Sequence, residues 1–469
     1  MFRIGFTVLL AAAGLLFYLY RQSDPICEDC NVIFISIDTL RADHMGVYGY
    51  KKDTTPNIDQ WAKSATKFSN YYTIFPLTTH SFFSLFTGGD DEVLNGPLTE
   101  DYPTDIEGYT NKATLPTILK SNNYHTAAFV TNPLLGTVLK FFRRGLDEYN
   151  FVNTSGLGNY DPELYANTYR DQIKLTSASI KWLNKYRDKK FFLWLHYLNP
   201  HAPYLPPDQY LCRIDTYTCI NKTYDEKLLA DSDPQLCNVE KLSENDRQHE
   251  INLYDAELLS TDEQIGRILE AVEDMNLTKK TVIVLLADHG EGFDHNIYHH
   301  GNSLYSSALK IPLIIYVPGT KEKSSDMLLD NTNVTATLLD LLNIKFPEST
   351  FAGKSFIDVF YHNKTQNKEL NKVVYFRTPS NRSDRIGVTD GNYKYILNND
   401  DYCTVKNDKE ELYNLKNDPE EMNNLAEKDK SLVEKYRKYL SEKFKEFVTP
   451  PSDSQNRKDI IEKFKSLGY

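Results

Sequence analysis

Residues 281–301 read TVIVLLADHGEGFDHNIYHHG. The apolar, β-branched run TVIVLLA (281–287) has the pattern of a buried strand. It ends at Asp288-His289-Gly290, and His295, His299 and His300 follow. Four of the chain's 11 histidines therefore stand between positions 289 and 300, beside Asp288, Glu291 and Asp294. Carboxylates and imidazoles at the end of a buried strand, with glycines that let the backbone turn, form a candidate metal site. The alternative is a polar, solvated loop. One strand end supplies too few ligands, so the remaining donors must come from elsewhere in the chain.

Outward from that stretch, strand and helix signals alternate. VIFISI (32–37), TAAFV (126–130), FFLWLHYL (191–198) and PLIIYV (312–317) join 282–287 as strand candidates. Apolar spacing of three and four residues predicts helices over 56–65, 114–121, 163–187, 246–274 and 433–448. The alternation implies an α/β fold whose central, mostly parallel sheet is flanked by helices. Residues 205–245 are polar, rich in Pro and Asp and contain cysteines, and read as an insertion loop. After about residue 365 the pattern changes to short strands (VVYFR, IGVTD, YKYIL) and then a charged helix. This divides the chain into an N-terminal segment (1–30), a catalytic domain (31–365) and a smaller C-terminal α+β subdomain (366–469).

The 469 residues, 41% hydrophobic and 25% charged, describe an ordinary globular chain. A net charge of −12 with no basic stripe argues against a nucleic-acid partner. Ile4 to Tyr20 is uncharged and apolar between Arg3 and Arg21, and no small-x-small site follows it. It reads as an uncleaved signal-anchor rather than a removed signal, placing the rest of the chain outside the cytosol on a membrane or in a secreted form. Six cysteines (27, 30, 212, 219, 237, 403) are compatible with an oxidising compartment. At least one local disulfide is expected among 212, 219 and 237, and Cys27-Glu-Asp-Cys30 could close a small loop. Six Asn-x-Ser/Thr sequons (Asn153, Asn221, Asn276, Asn333, Asn363, Asn381) fit export and glycosylation.

Partners for Asp288 and His289 are sought at other strand ends. FISIDTLRADHMGVYGY (34–50) brings Asp38 to the end of the first strand, where a lone carboxylate is costly unless paired or metal-bound. In an open parallel sheet ligands collect at the carboxyl ends of strands, so Asp38 and Asp288-His289 can converge. PLTTHSFFSLFTG (76–88) offers Thr78, Thr79, Ser81 and Ser84 at the start of a short apolar helix. A hydroxyl at a helix N-terminus beside a metal is activated as a nucleophile, although such residues also serve as caps. HYLNPHAPYLPP (196–207) places His196 and His201 after a strand, where either could bind anionic oxygens or protonate a leaving group, His196 also fitting a core role.

The ordered set Asp38-Thr-Leu-Arg-Ala-Asp…Gly-x-Tyr-Gly, Leu-Phe-Thr-Gly, PHAPYLPP and ADHGE…HG…LY…KIPLIIYVPG resembles the sulfatase family of the alkaline-phosphatase superfamily. GVTDGNYKYIL…EELYNLKNDPEEMNNLA (387–425) resembles its ending, and the likeness runs from about 31 to 448. The resemblance implies an alkaline-phosphatase/sulfatase-like fold and an ester hydrolase. It implies metal ligation by Asp38, Asp288 and His289 together with Thr78, which stands where sulfatases carry the residue that becomes formylglycine. It implies substrate contact by Arg41, His201 and His300, with His201 and His300 also catalytic, and His196 joins them as a substrate contact from its place after the strand alone. His300 occupies the position of a substrate-contacting lysine.

Departures narrow the expectation. Thr78-Thr-His-Ser-Phe82 lacks the convertible Cys or Ser, the Pro or Ala and the Arg that formylglycine formation requires, and Thr39 replaces the second Asp of a paired motif. Thr nucleophiles are typical of relatives that hydrolyse or transfer phosphoryl groups. The expected cofactor is one or two divalent ions, Zn, Ca or Mn; imidazole suits zinc, an all-oxygen cage calcium. The expected reaction is in-line displacement on a small-molecule, glycan- or lipid-linked phosphate or sulfate ester through a covalent Thr78 ester. A membrane-anchored phosphoethanolamine-like transferase and a sulfuric-ester hydrolase without formylglycine are the alternatives.

Overall fold

A computed structural model describes residues 27–444 except 91–93, 96–111, 139, 153–167, 222–242, 296, 297, 299, 347–349, 362–369, 379–384 and 399–408. The apolar segment 4–20, Cys237, Cys403, His299 and the sequons at 153, 363 and 381 lie outside the described residues. Among the described residues no helix is long and apolar enough to cross a membrane.

In chain order the elements are β1 (Asn31–Ile37), α1 (Pro56–Ala62), β2 (Thr66–Tyr72), α2 (Thr78–Thr87), α3 (Leu115–Ser121), β3 (His125–Val130) and β4 (Glu148–Phe151). There follow α4 (Thr168–Tyr186), β5 (Phe191–Tyr197), α5 (Asp208–Ile214), α6 (Thr216–Ile220), α7 (Glu244–Asp274), β6 (Thr281–Ala287), α8 (Ser306–Leu309), β7 (Leu313–Tyr316), β8 (Lys323–Asp330) and α9 (Thr332–Leu341). The last elements are β9 (Val374–Arg377), β10 (Arg385–Thr389), β11 (Tyr393–Asn398), β12 (Glu410–Asn414) and α10 (Lys430–Lys443).

The strands form an eight-stranded sheet, ordered β4-β3-β5-β1-β6-β7-β2-β8, and a four-stranded sheet, β12-β11-β10-β9. Every residue of β1, β5 and β6 is buried. Burial on both faces of a parallel strand requires helices on both sides of the sheet. Accordingly α7 packs against α1, α4 and α5, while α2 packs against α3 and α9. β7 alone runs against its neighbours, antiparallel to both β6 and β2, so the sheet is mostly parallel as expected. The small sheet is antiparallel throughout.

The sequence reading missed four strands, among them β12 (EELYN) of the small sheet. β2 (TKFSNYY) and β8 (KSSDMLLD) are partly polar because both lie at one side of the sheet, where one edge meets solvent. β4 is four half-buried residues at the opposite edge. The 205–245 insertion is also more ordered than a loop: α5 and α6 lie inside it, joined by a Cys212–Cys219 disulfide. Asp215 caps α6 by accepting from Thr218 N at 2.6 Å, a local signal hidden within a polar stretch. Cys27–Cys30 forms the second disulfide. Of the described sequons, Asn221 and Asn276 are exposed, whereas Asn333 is fully buried in α9 and closed to a glycan.

Registers set the site. Ile37 on β1 is level with Tyr197 on β5 and Ala287 on β6, so Asp38 and Asp288 leave adjacent strands at one height. Beneath them an aromatic layer fills the core. Phe86 lies 4.9 Å from Trp194, 5.6 Å from Phe82 and 5.8 Å from Phe34 by ring centroids. Phe86→Ala is expected to cost about 3–5 kcal/mol by leaving a cavity there. A denaturant midpoint measured against wild type checks this, and an unchanged midpoint would contradict the packing.

Candidate active site

Asp38 ends β1, and the next residue, Thr39, turns the chain with φ +54°. A β-branched residue at positive φ is strained and persists only where its surroundings enforce it. Here Thr39 N donates to Asp288 Oδ1 (3.3 Å), and Tyr254 of α7 donates to Thr39 O (2.9 Å). Asp288 Oδ1 also accepts from His289 N at 2.8 Å. Gly290 follows because its backbone presses on that of α8: Gly290 N donates to Ala308 O at 2.8 Å, and a Cβ there would overlap the Ser307 carbonyl.

These constraints leave one oxygen of each carboxylate aimed inward. Asp38 Oδ1 and Asp288 Oδ2, both fully buried, have no hydrogen-bond partner among the described residues. His289 Nε2 faces both, 3.7 Å from Asp38 Oδ1 and 3.6 Å from Asp288 Oδ2. The Thr78 hydroxyl, in the first turn of α2, lies 3.2 Å from the same nitrogen. Ligands about 2.1 Å from a tetrahedral ion sit about 3.4 Å from one another, so these separations suit a small divalent cation. His289 Nδ1 meets the Gly290 carbonyl at 3.0 Å and must donate to it, which leaves Nε2 with an inward lone pair. The donor set therefore fits a divalent metal.

The second oxygen of Asp38 is spoken for. Asn132 Nδ2 donates to Asp38 Oδ2 at 2.6 Å, and His196 Nε2 stands 3.3 Å from it. Asp38, His196 and Asp288 bring ligand atoms within 4.8 Å of one another. His196 approaches the Oδ2 side of Asp38 and remains one of these candidate ligands, with Ser36 Oγ 3.0 Å from its Nδ1. Burial alone would raise Asp38. The His196 hydrogen bond and the nearby His201 and His289 outweigh it and hold Asp38 below the usual carboxylate range. Asp288 is raised, by burial first and by the charge of Asp38 second.

The hydroxyl cluster resolves into distinct roles. Ser81 Oγ donates to Asp288 O (2.6 Å), Ser84 Oγ to His80 O (2.9 Å), and Thr79 Oγ1 lies 3.0 Å from His80 Nδ1. Of the four, Thr78 faces His289. Gly88, at φ +59°, ends α2 against the Phe351 ring, the left-handed cap that fixes the helix length.

Beside His289 stands His300, ring centroids 4.2 Å apart, and His201 lies 4.9 Å from His300. His300 Nδ1 is 3.2 Å from the buried Glu291 Oε1, and His201 Nδ1 donates to Ala202 O at 2.6 Å, turning its Nε2 away from that carbonyl. Burial opposes protonation of His201, but Asp38 and Glu291 overcome it and raise its affinity for a proton. Arg41 sits differently from expectation. Its guanidinium binds Asp43 at 2.8 Å, Asp294 at 3.4 Å and the Glu291 carbonyl at 3.1 Å, so it braces the 291–294 loop. The sequence reading missed Asn132, whose only signal was its place just beyond a strand end. It also missed Asp255, a buried carboxylate of α7 that receives His44 (2.7 Å), Tyr50 (2.7 Å) and Lys52 (2.9 Å) and so fixes the segment after Arg41.

Residues 30–344 match the family model for Sulfatase, two thirds of the chain. The chain belongs to the sulfatase family. Residues 294–449 match the model for the C-terminal region of N-sulphoglucosamine sulphohydrolase. Like an arylsulfatase of Clostridium perfringens, 26% identical over 68% of this chain and 76% of that protein, it is an ester hydrolase by family. It is also 24% identical, over 67% of its length and 53% of the other's, to the phosphatidylethanolamine transferase Mcr-1 of Escherichia coli. In fold it resembles the protein BT4656 solved with its substrate D-glucosamine-2-N,6-O-disulfate (TM-score 0.69, 20% identity, 91% and 99% of the two chains). Metal dependence of this family member is testable without a substrate. At 100 times its Kd a divalent ion should stabilise the fold by about 2.7 kcal/mol. Chelation should lower the melting temperature and Asp38→Asn should abolish the difference; a metal-insensitive wild type would refute the site.

Proposed function

We propose that this sulfatase-family hydrolase acts on phosphate-type esters outside the cytosol, using Thr78 as a covalent nucleophile. The observation that carries the reading is the Thr78 hydroxyl, 3.2 Å from His289 Nε2 at the N-terminus of α2. A threonine side chain cannot become formylglycine, whereas its oxygen can attack phosphorus directly. Phe82, at the position of the missing arginine, is buried against Trp194 at 5.1 Å rather than facing a modified side chain. Similarity to a phosphatidylethanolamine transferase supports phosphoryl chemistry.

Asp38, Asp288, His289 and Thr78 would hold the divalent ion, whose mixed nitrogen and oxygen donors favour zinc over calcium. Bound there, the ion supplies positive charge that favours the Thr78 alkoxide and the oxygens of the transferring group. The positive end of α2 adds to that preference. The Thr78 hydroxyl gives its proton to solvent, Thr78 Oγ1 attacks phosphorus in line, the bond to the leaving oxygen breaks, and that oxygen takes a proton from His201. His300, oriented by Glu291, binds a non-bridging oxygen. Water then attacks the Thr78 ester and gives one proton to His201, the bond from phosphorus to Thr78 Oγ1 breaks, and that oxygen takes a proton back from solvent. The ester is a small molecule or is linked to a glycan or lipid. His196 belongs with Asn132 as a support of Asp38, and Arg41 supports the loop rather than the substrate.

Extracytoplasmic action is part of the same proposal. It is supported by the two disulfides, the exposed sequons Asn221 and Asn276, and the apolar segment 4–20, read as an anchor. We also take 31–365 as the catalytic unit and 366–469 as the C-terminal unit.

Thr78→Ala should abolish turnover while metal content and far-ultraviolet circular dichroism stay unchanged; full activity would move the nucleophile elsewhere. A parallel assay of aryl sulfate, phosphate monoesters and phosphate diesters should show phosphate turnover, and turnover of aryl sulfate alone would reverse the substrate preference. His201→Asn should slow alkyl esters by about 10²–10⁴-fold yet affect nitrophenyl esters far less, since a good leaving group needs no proton. Equal losses on both would remove His201 from that role.

A further inference from the structure

His295 took no part in the chemistry above, yet its ring meets acceptors at both ends. Nδ1 lies 2.9 Å from Asp294 Oδ1, and Nε2 lies 2.9 Å from the backbone carbonyl of Glu421. A carbonyl carries no proton, and Asp294 is held below the usual carboxylate range. Burial would raise Asp294, but His295 and Arg41 outweigh it. Two acceptors require two donors, so both ring nitrogens carry hydrogen and the ring is an imidazolium. The ring also stacks on Tyr305 with centroids 3.7 Å apart and planes 10° from parallel.

The two acceptors belong to different parts of the fold. Asp294 lies in the loop that carries Glu291 and His300, and it accepts from Arg41 and from Ser307 Oγ at 3.0 Å. Glu421 lies beyond β12 at φ +58°, fully enclosed. Its side chain pairs with Lys394 of β11 at 2.7 Å and accepts from Ser306 N at 2.6 Å. Lys394 in turn donates to Leu304 O (3.1 Å) and Ser306 Oγ (2.9 Å). Tyr305 donates to Glu411 of β12 at 2.7 Å. The charged groups around the ring are thus Asp294 and Glu421 directly, Arg41 and Lys394 through them, and Glu411 through Tyr305.

We propose that His295 is a positioning residue, an imidazolium clasp that ties the loop bearing Glu291 and His300 to the C-terminal unit and holds it only while the ring is charged. Loss of one proton would set a bare ring lone pair against an acceptor oxygen and open one side of the clasp. In line with the geometry, burial lowers the proton affinity of His295, but the hydrogen bond and charge of Asp294 and the Glu421 carbonyl reverse this and raise it above the ordinary histidine value. A raised folded-state value means that the stabilisation is complete below the unfolded value near 6.5 and fades as pH climbs through the folded value. The effect on turnover rests on the proposed roles of Glu291 and His300; the protonation state does not.

The test therefore begins without a substrate. In the full-length protein labelled with 15N-histidine, the ring signal lost in His295→Gln should show two protonated nitrogens at pH 7. A neutral tautomer at pH 7 would overturn the proposal, and this measurement stands even if the variant folds poorly, because substituting the other ten histidines one at a time assigns the His295 ring by elimination. Melting temperatures of wild type and His295→Gln from pH 6 to 9 should converge as pH rises. A constant gap would mean neutral packing alone and would also overturn it. With an active ester, kcat/KM of the variant should be about tenfold lower at pH 7, a barrier difference of about 1.4 kcal/mol, and the ratio should approach one by pH 9. A pH-independent ratio would count against the clasp, whereas absence of any turnover by wild type would refute the proposed function and leave the ring measurement intact.

Discussion

Two desolvated carboxylates facing one point impose the constraint on which the rest of the structure depends. Asp38 and Asp288 leave adjacent parallel strands at the same height, each fully buried and each with one oxygen unpartnered among the described residues. Unpaired buried charge costs several kcal/mol per ion even after relaxation. A bound cation reverses that sign, and the remaining groups at this strand edge make sense as its accessories. His289 supplies a nitrogen lone pair, Thr78 a hydroxyl at a helix N-terminus, and Asn132 occupies the outer oxygen of Asp38 with His196 beside it.

Support for these few atoms is spread widely. α7 is 31 residues long, and from it Tyr254 holds the strained Thr39 turn while Asp255 gathers His44, Tyr50 and Lys52. Arg41 looks like a substrate ligand in the sequence, because it closely follows a ligand. In the fold its donors face Asp43, Asp294 and the Glu291 carbonyl, which converts it into a brace between the first and sixth strand ends. From the other side, the C-terminal sheet reaches the same loop through Lys394 and Glu421. The catalytic loop is therefore held from both flanks by buried charge, a geometry that fixes side-chain direction more narrowly than apolar packing does.

On the proposed reading, departure from the sulfatase pattern is concentrated around Thr78. The chain matches the family over the catalytic and C-terminal regions, while that reading sets Thr78, Phe82, Thr39 and His300 apart from it. Phe82 has joined the aromatic core next to Trp194 and His196, 5.1 Å from each. Under that proposal, a site altered at the nucleophile but not at its metal donors would keep the electrostatics of ester displacement and change how the covalent intermediate is made.

The sequence by itself determined the α/β architecture, since unbroken apolar runs such as 32–37, 191–197 and 281–287 can only be strands covered on both faces. It also determined Asp38, Asp288, His289 and Thr78 as the residues to watch, because charged or nucleophilic groups at the ends of such strands and at a helix start are costly without a purpose. Edge strands β4 and β8, and β2 next to β8, escaped notice because partly exposed polar residues interrupt their apolar pattern. What only the tertiary structure decided was direction. Which oxygen of Asp38 is open, that Arg41 reaches the 291–294 loop, how close His196 comes to Asp38, and that His295 meets a second acceptor all depend on contacts between residues about a hundred or more positions apart. Composition and spacing specify which groups are present, but hydrogen-bond direction is set by neighbours that only the folded chain brings together.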